Sequence, residues 1–233
     1  MRVLVTRPKE GAEDSAKILR ARGHVVLTAS LIEIRFLDGS DISFDGVQAI
    51  LATSSNGVHA LARRAERRDI PLFAVGAQTA RAARDAGFTI VRSADGDARS
   101  LADALLDWAM PNTGALLHAA GAETKGQLAE TLLARGFDVR TEVLYDAIAA
   151  PELPAEALLA LEAGELDAVL LFSPRSARIF ADCVVKASAA EKCATLSAFC
   201  ISEAAVKGLA PLVFRALHVA TRPDQETLLA LLG

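Results

Sequence analysis

Short apolar runs alternate with helical stretches along the whole chain. Strand-like runs are predicted at residues 3–5, 24–27, 47–52, 72–75, 89–91, 115–117, 137–139, 167–172, 199–201 and 218–220. Several of the intervening helices end at a glycine, as at Gly23, Gly87 and Gly136, which suits the left-handed turn that follows a helix. Continuous apolar strands separated by helices are typical of parallel sheets covered on both faces. The pattern therefore predicts an α/β fold.

Two segments depart from this rhythm. Residues 31–37 and residues 142–149 alternate between apolar and polar side chains with period two. Such alternation is typical of strands with one solvated face, unlike the buried strands elsewhere in the chain. We interpret the two segments as a two-stranded connector between domains.

The chain also repeats itself. The run at residues 47–52 ends in Thr-Ser-Ser-Asn before a helix, and the run at 167–172 ends in Ser-Pro-Arg-Ser before another. The loop that contains Gly76 and Thr79 is echoed by the loop that begins at Ser202. This duplication predicts two similar parallel-sheet α/β domains joined by the connector, with a ligand cleft between them. Ligands of such sheets gather at the carboxyl ends of the strands, where these polar residues lie.

Composition narrows the functional classes. A length of 233 residues with 52% hydrophobic residues suffices for two cores in domains of roughly 100–120 residues. The net charge of −4 argues against a nucleic-acid surface, which needs clustered Lys and Arg. No apolar run approaches the length of a membrane span, and charged residues interrupt the N-terminus before a signal peptide develops. We therefore expect a soluble, cytoplasmic protein.

Familiar cofactor and catalytic motifs are missing from the sequence. No G-x-G-x-x-G follows the first strand, and Gly121 and Gly126 are followed by Gln-Leu where a phosphate loop needs Lys and Ser or Thr. The histidines have no metal-site spacing, and the three cysteines form neither a C-x-x-C pair nor an even disulfide framework. A lone histidine, His118, follows a predicted strand and is either a cleft residue or a structural one.

The candidate binding groups lie at strand ends. Thr6, Arg7 and Pro8 follow the first strand, where a hydroxyl and a guanidinium suit a carboxylate or phosphate and Pro8 suits the first turn of a helix. Helix N-termini attract anions through unpaired amides and the helix dipole. Each group has a plain alternative as a helix cap. The helix-start residues of the two halves are Ser54, Ser55, Asn56, Ser173, Pro174, Arg175 and Ser176.

Tyr145 is the one tyrosine of the chain and lies in the second alternating segment. Its phenol is either a hydrogen-bond donor or weak acid facing the cleft, or a ring packed on the hinge. With so few acid–base groups, an enzyme of this kind would work mainly by positioning its substrate.

Taken together, the motifs resemble the uroporphyrinogen-III synthase family over essentially the whole chain. They are L-V-T-R-P at 4–8, L-I-E-I at 31–34, A-T-S-S-N-G-V at 52–58, A-V-G-A-Q-T-A at 74–80, L-Y-D-A at 144–147, F-S-P-R-S-A at 172–177 and A-T-R-P at 220–223. The resemblance implies a discontinuous first domain, residues 1–30 plus 150–233, and a second domain at 38–141. It also implies that segments 31–37 and 142–149 are the connector.

The same resemblance implies the activity. The family closes hydroxymethylbilane, a linear tetrapyrrole with eight carboxylates, to uroporphyrinogen III. The terminal hydroxyl leaves, a spiro-pyrrolenine forms at ring D, and the macrocycle closes with ring D inverted and water released. Members are typically monomers without metal or cofactor, and the enzyme that produces hydroxymethylbilane is a candidate partner.

Residue roles can be carried over only where the motifs match. The family's connector tyrosine, proposed to assist departure of the hydroxyl, corresponds to Tyr145, and the threonine of its A-V-G-x-x-T-A loop corresponds to Thr79. Two departures affect anion contacts: residues 118–125 read H-A-A-G-A-E-T-K instead of the family's Arg-Gly and Gly-Arg-Glu, with Lys125 as a substitute cation, and the second loop reads Ser-Glu-Ala-Ala from Ser202. The predicted binding set is Thr6, Arg7, Pro8, Ser54, Ser55, Asn56, Gly76, Thr79, Lys125, Ser173, Pro174, Arg175, Ser176 and Ser202.

A second hypothesis belongs to another class. A non-catalytic two-domain sensor of a small polyanionic ligand would share the architecture and would explain the shortage of acid–base residues. The isomer of the product formed from hydroxymethylbilane separates the two hypotheses.

Overall fold

The computed structural model describes residues 1–123 and 127–233, apart from the side chains of Lys9 and Glu10. Its elements in chain order are β1 (Arg2–Val5), α1 (Lys9–Ala21), β2 (Val25–Thr28), β3 (Ile32–Phe36), β4 (Val47–Ala52), α2 (Ser55–Arg64), β5 (Leu72–Ala74), α3 (Ala77–Asp85), β6 (Val91–Ser93), α4 (Ala98–Trp108), β7 (Ala115–Gly121), α5 (Gln127–Ala134), β8 (Val139–Ala149), α6 (Ala155–Glu162), β9 (Ala168–Leu171), α7 (Pro174–Lys186), a 3₁₀ helix (Ala190–Thr195), β10 (Ser197–Cys200), α8 (Glu203–Lys207), β11 (Ala216–Val219) and α9 (Gln225–Ala230). Strands and helices alternate as predicted, and the α/β class is confirmed.

The contacts among Cα atoms divide the chain into two units. The first comprises Met1–Glu33 and Ile148–Gly233, and the second comprises Ile34–Ala147. The chain therefore passes between units within β3 and within β8. The predicted domain limits and the role of these strands as a connector stay predictions.

The first unit is built on a sheet with the order β11-β10-β9-β1-β2. Every pairing in it is parallel. One face is buried by α6, α7 and α8 and the other by α1 and α9, so the central strands are apolar on both sides. Val3, Leu4 and Val5 of β1 are accordingly fully buried.

The second unit is built on a sheet with the order β3-β8-β7-β4-β5-β6. The pairs β8–β7, β7–β4, β4–β5 and β5–β6 are parallel. Helices α2 and α3 cover one face, and α4 and α5 cover the other. Each unit is thus a sheet between two helical layers.

The predicted break between strands 137–139 and 142–149 is wrong, because β8 runs without interruption from Val139 to Ala149. The two predicted runs are separated in the sequence by the polar residues Arg140 and Thr141. In the structure Arg140 instead donates to the carbonyl of Ser43 and lies 3.5 Å from Glu142, while Thr141 is exposed. Successive side chains of a strand point to opposite faces, so β8 carries a polar side chain on each face here without ending.

Glycine ends three of the helices in the predicted way. Gly23, Gly87 and Gly136 follow α1, α3 and α5 with φ angles of 85°, 91° and 84°. This left-handed conformation is strained for residues with a side chain, so each glycine fixes where its helix stops. No helix in the described ranges is both long and apolar enough to cross a membrane.

His118 is a buried histidine of the second sheet. It lies within β7, which extends four residues further than predicted, and it is 1% exposed. Strand alternation puts it on the same face as Leu116, against α4 and α5. Neither ring nitrogen has a hydrogen-bond partner among the described residues. Burial lowers the pKa of the His118 imidazole, since the charged form would lose its hydration.

We predict that His118 makes the fold less stable in mild acid. Because its pKa is lowered in the folded state, the unfolded chain takes up the proton first, from about pH 6.5 downward. The folded state then loses up to about 1.4 kcal/mol of stability per unit of pH until the imidazole of the folded protein also titrates. His118→Leu removes this component.

Urea unfolding of both proteins between about pH 7.5 and about pH 5.5 tests this prediction. The other histidines contribute equally to the two proteins, so the difference in free energy of unfolding isolates His118. The wild type should lose stability relative to the variant as the pH falls. A difference that stays constant over this range would contradict the prediction.

Candidate functional site

Thr6 follows β1 at the carboxyl edge of the first sheet. It is fully buried, and its Oγ1 donates to the carbonyl oxygen of Leu170 in β9 at 2.7 Å. The hydroxyl proton is therefore engaged between the two central strands. The structure gives Thr6 a role in fixing the strand ends from which its neighbours project.

Arg7 is held by neutral groups. Its guanidinium carbon lies 4.5 Å from the centroid of the Phe172 ring, and its Nη1 donates to Gln225 Oε1 and, at 3.4 Å, to Ser15 Oγ. Burial lowers the pKa of the Arg7 guanidinium, and the carboxylate of Asp14 acts in the opposite direction. The side chain nevertheless stays protonated at neutral pH.

Among the carboxylates whose side chains the structure describes, which do not include Glu10, none forms an ion pair with Arg7. A methyl group on Gly11 would lie 2.8 Å from Arg7 Nε, so the arginine rests closely on the first turns of α1. The end of β1 thus carries a fixed positive charge that a ligand carboxylate can neutralise.

Pro8 differs from its predicted position. It is the N-cap residue of α1, with a φ of −52° and a ψ of 148°, and the helix begins at Lys9. Its carbonyl oxygen accepts a hydrogen bond from the Ala12 amide at 3.0 Å. Its ring therefore precedes the helix instead of forming part of the first turn.

Ser173 and Ser176 form a reciprocal cap at the start of α7. Ser173 Oγ accepts from the Ser176 amide at 3.0 Å, and Ser176 Oγ accepts from the Ser173 amide at 3.1 Å. Pro174 occupies the first helical position, where the absent N–H costs no helical bond, and Arg175 beside it is half-buried. This capping box explains why the sequence has a serine at both positions.

The serine hydroxyl protons of this cap are also engaged. Ser173 donates to Ser176 Oγ at 3.0 Å, and Ser176 donates to the Ser173 carbonyl oxygen at 3.0 Å. Ser202 caps the short helix α8, where its Oγ accepts from the Ala205 amide at 3.4 Å. Since β1, β9 and β10 are parallel, all these groups lie at one edge of the first sheet.

In the second unit, α2 and α3 begin where the neighbouring strands β4 and β5 end. Ser54 caps α2 by accepting from the Asn56 amide at 3.2 Å, and Ser54, Ser55 and Asn56 are all half-buried. Gly76 is the N-cap residue of α3. Thr79 lies in the first turn of α3 and is only 6% exposed.

Helix α2 approaches β7 very closely. A methyl group on Gly57 would lie 2.5 Å from the Ala119 carbonyl oxygen. The start of α2 is therefore held beside the carboxyl end of β7, where Gly121 pairs with Tyr145 of β8.

Tyr145 lies at the same edge of the second sheet. Its half-buried ring packs against the core formed with α2 and α3. A methyl group on Gly121 would lie 2.7 Å from Tyr145 Cζ and 3.0 Å from its Oη, so the ring covers the end of β7. The phenol therefore lies at the strand-end edge of the second sheet.

Each unit gathers its own predicted residues at one sheet edge. The first brings together Thr6, Arg7, Pro8, Ser173, Pro174, Arg175, Ser176 and Ser202, and the second brings together Ser54, Ser55, Asn56, Gly76, Thr79 and Tyr145. Lys125 lies outside the described residues. Whether these residues bind substrate stays a prediction.

Sequence reasoning missed the neighbours of Arg7 and Tyr145. Phe172 and Gln225 touch Arg7 across more than 160 positions of sequence, and Gly121 touches Tyr145 across 24. Gln225 opens α9 in a polar turn, but no pattern links that turn to Arg7. Within the described part of the chain, no group of three His, Cys, Asp or Glu residues is arranged to hold a metal ion.

Comparisons with a family model and with solved structures point to the same protein family. The family model described as "Uroporphyrinogen-III synthase HemD" matches residues 13–230. Comparison with curated protein sequences gives no significant match.

Two solved structures resemble the chain over its full length. Uroporphyrinogen-III synthetase from Helicobacter pylori matches with a TM-score of 0.66 and 17% identity, covering 100% of this chain and 98% of that one. A mutant uroporphyrinogen III synthase from Thermus thermophilus matches with a TM-score of 0.55 and 18% identity, covering 100% and 96%. At these identities the structures show the shared two-domain fold, while the family model covers nearly the whole sequence. The chain belongs to the uroporphyrinogen-III synthase family.

Proposed function

We propose that strand-end residues of both units hold hydroxymethylbilane while the chain closes it to uroporphyrinogen III. As a member of this family, the chain is a lyase of porphyrin and heme biosynthesis. The observation that carries the proposal is the family match, which spans all the strand-end motifs except those of β1. The gathering of polar groups at one edge of each sheet supports it.

The reaction requires little acid–base chemistry. A proton on the terminal hydroxyl lets it leave as water, and the remaining azafulvene cation is attacked by the substituted carbon of ring D. The spiro-pyrrolenine then breaks its original carbon–carbon bond at ring D, and closure at the other carbon of that ring releases a proton. Water is thus the only net by-product, and the enzyme's main task is to favour this route over direct closure.

Tyr145 is the proposed hydrogen-bond donor to the departing hydroxyl. It lies at the strand-end edge of the second sheet, where its ring covers Gly121 at the end of β7, and it is the only phenol in the chain. A neutral donor suits this step, because it stabilises the leaving oxygen without placing a second anion beside the substrate's carboxylates.

The substrate's carboxylates need donors, and the helix caps differ in what they offer. At α7 the Ser173 and Ser176 hydroxyl protons are engaged inside the cap. At α2 the Ser54 oxygen accepts from Asn56, and its own proton has no acceptor among the described residues. We therefore assign Ser54 and Arg7 to carboxylate binding, and the Ser173–Ser176 pair to presenting the start of α7.

The finer parts of the proposal come from the resemblance. We propose that the protein is a monomer, that it is cytoplasmic, and that it receives its substrate from the enzyme that produces hydroxymethylbilane. No feature of the described residues favours the non-catalytic sensor over the synthase.

The product isomer tests the function. Hydroxymethylbilane closes unaided to the type I isomer, so the expected result with purified protein is a shift to type III. The measurement generates hydroxymethylbilane in situ, oxidises the products and separates uroporphyrin I from uroporphyrin III. Type I alone, from a folded and monodisperse preparation, would contradict the enzyme and leave the sensor.

Tyr145→Phe should slow turnover. Loss of the phenolic hydroxyl removes the donor to the leaving group, and we expect kcat to fall by about 10²-fold. The aromatic ring and its packing remain, so the urea-unfolding midpoint should stay close to that of the wild type. A rate equal to the wild type would remove Tyr145 from the mechanism.

Arg7→Gln should weaken substrate binding. A charge-assisted bond to a carboxylate contributes about 1.5–3 kcal/mol, so KM should rise by roughly 10- to 100-fold while kcat changes less. Arg92→Gln is the matched control, because Arg92 also lies over an aromatic ring, that of Trp108, but on β6 of the second unit. Equal KM values for the two variants would overturn the role of Arg7.

A further inference from the structure

We infer that Gly121 is a positioning residue for Tyr145, because its missing side chain leaves the space that the phenol ring occupies at the end of β7. The inference rests on the proposed role of Tyr145. It adds that the placement of the Tyr145 hydroxyl depends on Gly121, a residue of the neighbouring strand. Gly121 does not contact the substrate itself and acts only through the position of the ring.

The space is fully used by the tyrosine. A Cβ atom on residue 121 would lie 2.7 Å from Tyr145 Cζ, 2.9 Å from Cε2 and 3.0 Å from Oη. These distances are too short for carbon atoms in van der Waals contact, which begins at about 3.5 Å. Even the smallest side chain at residue 121 must therefore displace the phenol.

The backbone does not require glycine at this position. Gly121 is absent from the glycines with positive φ, so L-residues can adopt its conformation. By contrast, Gly46 and Gly114, which directly precede β4 and β7, have positive φ angles of 67° and 147°. The reason for glycine at residue 121 is thus the approach of the ring.

A β-bulge aims the ring at Gly121. Ala120 pairs with Val143, but Gly121 pairs with Tyr145, so Leu144 is the extra residue of β8. In a regular ladder without the bulge, Leu144 would pair with Gly121. The Tyr145 side chain would then point to the opposite face of the sheet. Instead Leu144 is fully buried in the core formed with α2 and α3, and Tyr145 packs on the edge of the same core.

The backbone around Tyr145 is anchored on both sides. The Ala122 amide donates to the Tyr145 carbonyl oxygen at 2.8 Å, and the Leu37 amide donates to the Leu144 carbonyl oxygen at 2.9 Å. The strand therefore cannot shift easily to accommodate a methyl group on residue 121. The expected response is rotation of the phenol, which moves Oη away from its place at the sheet edge.

A double-mutant cycle tests the inference. Gly121→Ala should lower kcat about as much as Tyr145→Phe does, by roughly 10²-fold, with little change in KM. In a Tyr145→Ala background the ring is gone, and Gly121→Ala should have no further effect on kcat or on the fraction of type III product. Independent, multiplicative losses in the two backgrounds would overturn the inference.

A second readout does not depend on activity. Tyr145 is the only tyrosine, so protein labelled with ¹³C-tyrosine gives ring signals from this residue alone. Gly121→Ala should shift those signals, whereas the control Ala122→Ser, which alters the neighbouring exposed side chain, should leave them close to wild type. Unchanged signals in Gly121→Ala would overturn the inference even if the rate fell.

The two readouts separate the inference from the proposed function. Shifted ring signals in a protein that yields only type I product would uphold the positioning role and reject the synthase. Type III product from the wild type, with kcat and ring signals unchanged in Gly121→Ala, would uphold the synthase and reject the positioning role of Gly121. If Gly121→Ala does not fold, the double variant Gly121→Ala/Tyr145→Ala should regain the fold, and its failure to do so would contradict the contact.

Discussion

Parallel pairing is the constraint on which the rest of this structure depends. When neighbouring strands run in the same direction, their carboxyl ends meet at one edge, and the helices that return the chain all begin there. In the first unit this brings together the residues after β1, β9 and β10, and in the second those after β4, β5 and β7. Backbone amides of helix starts therefore gather at both edges without any charged motif in the sequence.

A site that binds many carboxylates needs cations or hydrogen-bond donors that are not already paired with carboxylates of the protein. In the proposed site Arg7 would meet this requirement, because Phe172 and Gln225 stabilise its guanidinium through a ring face and an amide oxygen. A protein carboxylate in their place would stabilise the folded state but compete with the ligand. Burial lowers the pKa of the Arg7 guanidinium and so opposes its charge, and a bound carboxylate would offset that cost.

Local patterns predicted the fold well, since apolar runs, glycine stops and serine caps are read from neighbouring residues. β4 has the predicted limits, and Gly23 and Gly87 end their helices as expected. The misread break at Arg140 shows the limit of this approach, because β8 continues through two polar residues whose side chains point to opposite faces of the strand. Contacts between distant segments lie beyond it altogether: Arg7 and Gln225 are 218 positions apart, and the bulge at Leu144 appears only when β8 is aligned with β7.

The sequence offers few acid–base side chains, so the function depends mainly on how accurately the protein positions its substrate. Direct closure and closure through the spiro intermediate start from the same cation, so no pKa can choose between them. The choice depends on which carbon of ring D lies nearest that cation, and positional errors of about 1 Å cost roughly 10²-fold in rate. In the proposed mechanism, a phenol held by a glycine on one strand and a bulge on the next would supply such accuracy, because both features are rigid parts of the sheet. Selection for isomer control should therefore act on such packing residues as strongly as on the groups that touch the substrate.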